Sequence, residues 1–153
     1  MRPLDPIDRK ILHALQQDGR VTMTDLAAQV GLSATPCTER VRRLEREGII
    51  SGYHARVNPL ALGLRVLVFI EIRVSNKSPK VLDEIRQSLE KLDEITECHL
   101  VTGDFDYLIK ARLGALEDYH DLLCTLHSYL PGVVMQRSYV VMEELKETHY
   151  LRA

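Results

Sequence analysis

The chain lacks what several classes of protein require. No apolar run approaches a membrane span, and the opening MRPLDPIDRK has no apolar h-region. A cytoplasmic protein without a membrane partner is therefore expected. Three cysteines, Cys37, Cys98 and Cys124, contain no Cys-x-x-Cys pair and leave an odd count, which fits a reducing compartment and small buried thiols rather than a disulfide framework. No glycine-rich loop suited to cradling phosphate is present. No recognised motif sets a serine or cysteine beside His13, His54, His99 or His149. Cys98 and His99 adjoin in an expected strand, where neighbours point to opposite faces, so they form no dyad. An enzyme reading has no residues to carry it. His120, Cys124 and His127 fall at i, i+4 and i+7 of an expected helix, but no fourth ligand is close in sequence, and neither a metal nor another cofactor is expected. Net charge is small as well, −2 over 153 residues, which alone gives no reason to expect a nucleic-acid partner.

The distribution of that charge is more informative. Residues 1–59 hold nine Lys and Arg against seven Asp and Glu, whereas residues 60–153 hold eleven against fifteen. The positive half contains residues 21–50, VTMTDLAAQVGLSATPCTERVRRLEREGII. Thr22 is placed to cap a short helix with Asp25 as its capping-box partner, and Gly31 suits the left-handed residue of a turn. Ser33 or Thr35 can cap a second helix, with Pro36 tolerated in its first turn. On that helix Cys37, Val41 and Leu44 share one face, while Thr35, Thr38, Glu39, Arg42, Arg43 and Arg46 lie opposite. This spacing fits a helix-turn-helix whose second helix enters a DNA major groove. It fits equally an ordinary helical hairpin with a solvated basic face. A preceding helix over residues 5–18 would support both, burying Ile7, Ile11, Leu12 and Leu15. Residues 49–57 read as a short strand or wing, with Arg56 at its end. Asn58-Pro59 and residues 60–63 read as a hinge.

From Leu64 the period changes. A strand over 64–74 precedes a helix opened by Ser78-Pro79, with Val81, Leu82, Ile85, Leu89 and Leu92 inward. Strands follow over 95–101 and 107–113, joined by the turn Gly103-Asp104-Phe105-Asp106. A helix over 116–130 buries Tyr119, Leu122, Leu123 and Leu126, and Pro131-Gly132 stops it before a strand over 133–142. Residues 143–153 form a short closing strand or a tail. This is the βαββαβ order of a ferredoxin-like domain. The expected fold is therefore α+β: a winged helix-turn-helix domain over residues 1–59 and a ferredoxin-like domain over residues 60–153.

Two blocks, LSATPCTERVRRLEREGII followed by GY, and ECHLVTGDFDYLIKAR with LPGV and SYVVMEELK, resemble the leucine-responsive regulatory protein (Lrp/AsnC) family of transcription regulators. The resemblance runs from Leu4 to about Lys146. It implies a DNA-binding domain joined to an amino-acid-sensing domain, homodimers assembling further, commonly to octamers, and a small amino acid, leucine or alanine, bound between sensor domains. It strengthens the DNA reading of residues 21–50: Thr35, Thr38, Glu39 and Arg42 near bases, Arg43 and Arg46 on phosphates, and Ser33 at the head of the helix. It also places the effector near the 102–106 turn and the last strand, which nominates Leu100, Gly103, Asp104, Asp106, Tyr139, Val140 and Val141. Chemically, two carboxylates beside backbone N–H groups can hold the ammonium and carboxylate of a zwitterion. Two alternatives are an architectural DNA-binding protein needing no effector and an amino-acid-binding regulatory subunit of an enzyme. The second leaves the basic helix unexplained.

Overall fold

The structure, a computed structural model, describes residues 3–152, so residues 1, 2 and 153 of the two expected domains lie outside the described residues. The chain forms two compact units. One runs to Arg56 and takes in the segment from Lys146 onward; the other is Val57–Leu145.

The first unit holds three helices, α1 (Pro6–Gln17), α2 (Met23–Val30) and α3 (Ala34–Arg46). Asp5 caps α1 by accepting from the N–H groups of Ile7 (2.9 Å) and Asp8 (2.8 Å), while Asp8 accepts from the Asp5 N–H (3.2 Å). This is a full capping box with aspartate in the third position. At α2 the Thr22 hydroxyl accepts from the Asp25 N–H and donates to the Asp25 carboxylate (2.7 Å), so Asp25 meets the hydroxyl of its partner. Gly31 closes α2 in the left-handed region, φ 76°. Ile11, Leu26, Cys37, Val41 and Leu44 converge in one core. Burying a side chain of this size stabilises by about 1.5–3 kcal/mol, which makes the core the main reason the short helices persist.

Two segments of this unit lie outside its helices. Residues 51–58 carry no helix or strand, because an isolated strand has no ladder partner in the unit. The tail from Lys146 onward groups with the first unit. Gln16 exchanges two hydrogen bonds with the Leu151 backbone (2.9 and 2.6 Å), and His13 contacts the Tyr150 hydroxyl with the rings edge-on. Arg56 donates to the Glu147 carbonyl. The closing segment is thus a tail held on α1, not a strand.

The second unit opens with a 3₁₀ turn, Pro59–Leu62, capped by Asn58 and ended by Gly63. It then runs β1 (Val66–Val74), α4 (Pro79–Leu89), β2 (Ile95–Leu100), β3 (Tyr107–Leu113), α5 (Asp118–Tyr129) and β4 (Val133–Val140). The sheet order is β2-β3-β1-β4, antiparallel throughout, as the ferredoxin-like pattern requires. Val68, Ile70, Ile72 and Val74 of β1 and Tyr107, Ile109 and Ala111 of β3 face Ile85 of α4 and Leu122 and Leu126 of α5. The other face carries Phe69, Leu108 and Tyr139 among ion pairs such as Lys110–Glu97 (2.9 Å). Cys37 is buried as expected, whereas Cys98 and Cys124 are exposed: β2 is an edge strand, and Cys124 lies off the core face of α5. No helix among the described residues is long and apolar enough to cross a membrane.

Candidate nucleic-acid interface and effector site

Helix α3 is seated by Cys37, Val41 and Leu44, and this fixes which residues face out. Ser33, Thr35, Glu39, Arg42 and Arg46 are exposed, and Thr38 is half-buried. Ser33 occupies the N-cap position but makes no capping bond, leaving its hydroxyl and the first N–H groups of the helix open to a ligand. The Thr38 hydroxyl donates back to the Ala34 carbonyl (2.8 Å) and therefore presents a lone pair and a methyl group outward. Arg42 and Arg46, one turn apart, have no protein partner among the described residues.

Arg43 corrects the expected phosphate contact. Its guanidinium turns inward to Asp8 (2.7 Å), a carboxylate only 1% exposed. The long aliphatic stem allows a residue on the flank of the helix to reach beneath it. Arg40, not nominated from the sequence, joins the same cluster at 2.6 Å from Asp5 and 2.8 Å from Asp8. The Arg40 hydrogen bond, with help from backbone N–H groups, holds the Asp5 carboxyl down to about 2, and both aspartates raise the Arg40 pKa. The signal was present in the sequence as Asp5 and Asp8 on one helix against Arg40 and Arg43 on another, each pair spaced i, i+3. At the C-terminal end of α3 the Tyr53 hydroxyl donates to Glu45 (3.0 Å), and burial with that carboxylate pushes its pKa to about 12.

The nominated effector residues fall in two places. The first is the turn between β2 and β3. Gly103 adopts φ 127°, and Asp104 is exposed with its carboxylate unpartnered among the described residues. The Asp104 carbonyl accepts from the Arg73 guanidinium. Asp106 is different from the expected zwitterion ligand. It is buried, accepts from the Val74 N–H (2.9 Å) and pairs with Lys77 (2.6 Å). Burial raises its pKa, but Lys77, the Val74 N–H and Arg73 outweigh that and leave it below the ordinary carboxylate value. Its carboxylate ties the turn to the end of β1, so it positions the turn and has little capacity left for a ligand ammonium. Leu100, at the end of β2, is exposed.

Tyr139, Val140 and Val141 lie at the other place, the end of β4. Tyr139 donates to Glu71 (3.2 Å), Val140 is exposed, and the Val141 N–H bonds the Leu67 carbonyl (2.9 Å). The turn lies against Ile72–Val74 at one end of β1, whereas Tyr139 and Val140 pair with Phe69 and Val68 further along that strand. The five residue steps from Val74 to Phe69 amount to roughly 16 Å of strand, more than one amino acid spans. One copy of the unit does not bring the nominated residues together.

On α5 the His120 ring nitrogen lies 3.7 Å from the Cys124 sulfur, and His127 does not join them. Among the described residues no group of three or more His, Cys, Asp or Glu is placed to hold a metal ion.

Comparison with known proteins gives a consistent result. Residues 4–51 match a family model for winged helix-turn-helix DNA-binding, and residues 67–151 match the Lrp/AsnC ligand binding domain. Curated relatives called leucine-responsive regulatory protein, from Klebsiella pneumoniae and Escherichia coli strain K12, are each 51% identical over 98% of this chain and 92% of their own. The crystal structure of a transcriptional regulator in complex with L-Met, from Neisseria meningitidis, superposes with a TM-score of 0.89 at 35% identity, covering 97% of this chain and 96% of that one. An AsnC family transcriptional regulator from Agrobacterium tumefaciens gives 0.91 at 31% identity, over 97% and 96%.

Proposed function

Because this chain belongs to the Lrp/AsnC family of transcription regulators, we propose that it is a leucine- or alanine-responsive member whose effector sits between two copies of its second unit. It is a DNA-binding regulator with a helix-turn-helix domain and an amino-acid-binding domain, not an enzyme. In our reading, residues 1–59 read DNA and residues 60–153 sense the effector and assemble the oligomer. A dimer presents two α3 helices to half-sites about one DNA turn apart, roughly 34 Å. Thr35, Thr38, Glu39 and Arg42 meet base edges, Ser33 and the open N-terminus of α3 meet the backbone, and Arg46 meets a phosphate. Dimers assemble further, to an octamer, in the cytoplasm.

For the effector, the exposed Asp104 carboxylate takes the ammonium and the N–H groups of the 102–104 turn take the carboxylate. Leu100 of the same copy and Tyr139, Val140 and Val141 of a second copy close over the apolar side chain. Asp106 holds the turn in shape. Leucine is favoured by the name of the curated relatives, and the neighbour bound to L-Met shows that a related protein takes an unbranched apolar amino acid. The ligand shifts the balance between assemblies only by its differential affinity for them.

One observation carries the between-copy reading: in one copy the turn lies at the Ile72–Val74 end of β1, while Tyr139 and Val140 pair with Phe69 and Val68, too far along the strand for one amino acid to reach both. Subunit mixing tests it. Asp104→Ala and Tyr139→Ala each lose leucine binding alone. Co-refolded in equal amounts, they regain about a quarter of the sites, because a quarter of the random pairings reunite an intact turn with an intact β4 end. Recovery of no sites in mixed oligomers would place both residues in one copy's site, or neither in any.

A further inference from the structure

The outward cations of the first unit occupy more than one face. Arg40 and Arg43 are neutralised by Asp5 and Asp8, and Arg56 lies by Glu147, leaving Arg42 and Arg46 on the reading helix. Two further cations, Arg9 and Lys10, stand on α1, exposed and without a protein partner among the described residues. They line a cleft of about 430 Å³ between α1 and the end of α2, together with His13, Gln17 and Gln29. No carboxylate lines it. Ile11, Ala14 and Leu15 of α1 and Cys37, Val41 and Leu44 of α3 share one core, and the exposed pairs Arg9/Lys10 and Arg42/Arg46 point away from it, each on its own helix.

We propose that this cleft is a second phosphate-binding site, which takes the backbone of a DNA segment other than the one read by α3. Arg9 and Lys10 supply charged donors and the amides of Gln17 and Gln29 neutral ones, while both His13 ring nitrogens are taken up by Tyr150 and Gln17; unopposed N–H donors of this kind contact phosphodiester oxygens. No aromatic ring lies free to stack a base, because the His13 ring already packs edge-on against Tyr150. No N-terminal turn or glycine loop is present to wrap a terminal phosphate, so a backbone passing across the cleft fits better than a free nucleotide. The consequence is that one head can hold two stretches of duplex, specifically through α3 and by charge alone through α1.

The test uses the full chain with Arg9→Gln/Lys10→Gln. Both residues are exposed and unpartnered, so the variant should melt with the wild type, and Arg9→Lys serves as the charge-conserving rescue. With short duplexes of random sequence at 50 mM salt, the wild type should bind about twice as many per chain at saturation as the variant. A second background, Arg42→Ala/Arg46→Ala, silences the reading face. It should keep weak binding whose affinity falls roughly 10-fold between 50 and 200 mM salt, the dependence of two phosphate contacts, and lose it when the cleft substitutions are added. Equal stoichiometry in wild type and variant, or residual binding indifferent to the cleft substitutions, would overturn the proposal. Stabilisation of the wild type by inorganic phosphate or a nucleoside triphosphate, at concentrations where duplex does not compete, would replace DNA with a small anion and also overturn it.

Discussion

Asp8 lies beneath α3, and its removal should separate the two roles assigned to the arginines around it. Its carboxylate is 1% exposed and holds Arg40 and Arg43 at 2.8 and 2.7 Å while also accepting from the Asp5 N–H. Asp8→Asn keeps the shape and removes the charge, leaving two guanidinium groups with side-chain exposures of 26% and 19% facing a neutral amide. Breaking a buried ion pair from one side costs about 3–5 kcal/mol. Solvent reaches both arginines, and Asp5 still holds Arg40, so roughly 2–3 kcal/mol is the expected loss. For a unit of this size that lowers the melting temperature by about 10–20 °C. Thermal unfolding followed by circular dichroism measures it. Arg43→Ala is the companion: it should lose stability in the same direction while the salt slope of DNA binding stays at the wild-type value. A change below about 0.5 kcal/mol in Asp8→Asn would refute the buried-anchor reasoning. A slope reduced by about 0.9 in Arg43→Ala, with stability intact, would return Arg43 to the phosphate role.

Three further outcomes are expected. Arg46→Ala should weaken binding on all sequences alike and flatten the salt slope by about 0.9; a loss confined to a cognate site would make Arg46 a base contact. Asp104→Ala should lose amino-acid affinity with an unchanged melt, whereas Asp106→Ala should lose the ligand response together with stability of the second unit, as it frees the Val74 N–H and Lys77. An Asp106→Ala protein that melts normally would sink the positioning role. The acid limb of stability should carry Asp5. Its folded pKa, about 2, lies below the unfolded carboxylate value near ~3.9, so its contribution is complete above pH ~4 and disappears as pH falls toward about 2. Asp5→Asn should flatten the stability profile in that window, and an unchanged profile would show that the Arg40 pairing does not hold in solution.

Much of this architecture was legible from periodicity. The inner faces of α1 and α3 and the alternation of β1 and β3 set the core, and the strand–helix order implied the sheet topology that is found. Four features were not legible, each for a physical reason. A strand over residues 49–57 needs a partner that the first unit does not supply. The outer arc of a helix does not determine where a long side chain ends, so Arg43 read as outward although its guanidinium reaches Asp8. Aspartates in a glycine turn usually face water, and only the tertiary approach of Val74 and Lys77 makes Asp106 an internal tie. The return of the tail to α1 depends on side-chain amide bonding at Gln16, which no local pattern marks.

The central claim is that this regulator senses one small apolar amino acid. A thermal-shift screen of the purified full chain against the twenty amino acids tests it most directly. A true effector at 100 times its dissociation constant stabilises the native state by roughly 2.7 kcal/mol, which moves the melt by several degrees. A shift confined to leucine, or to leucine and alanine, is the expected result. No shift with any of the twenty would contradict the account and leave an architectural DNA-binding protein, with the turn at Gly103–Asp106 a structural hairpin.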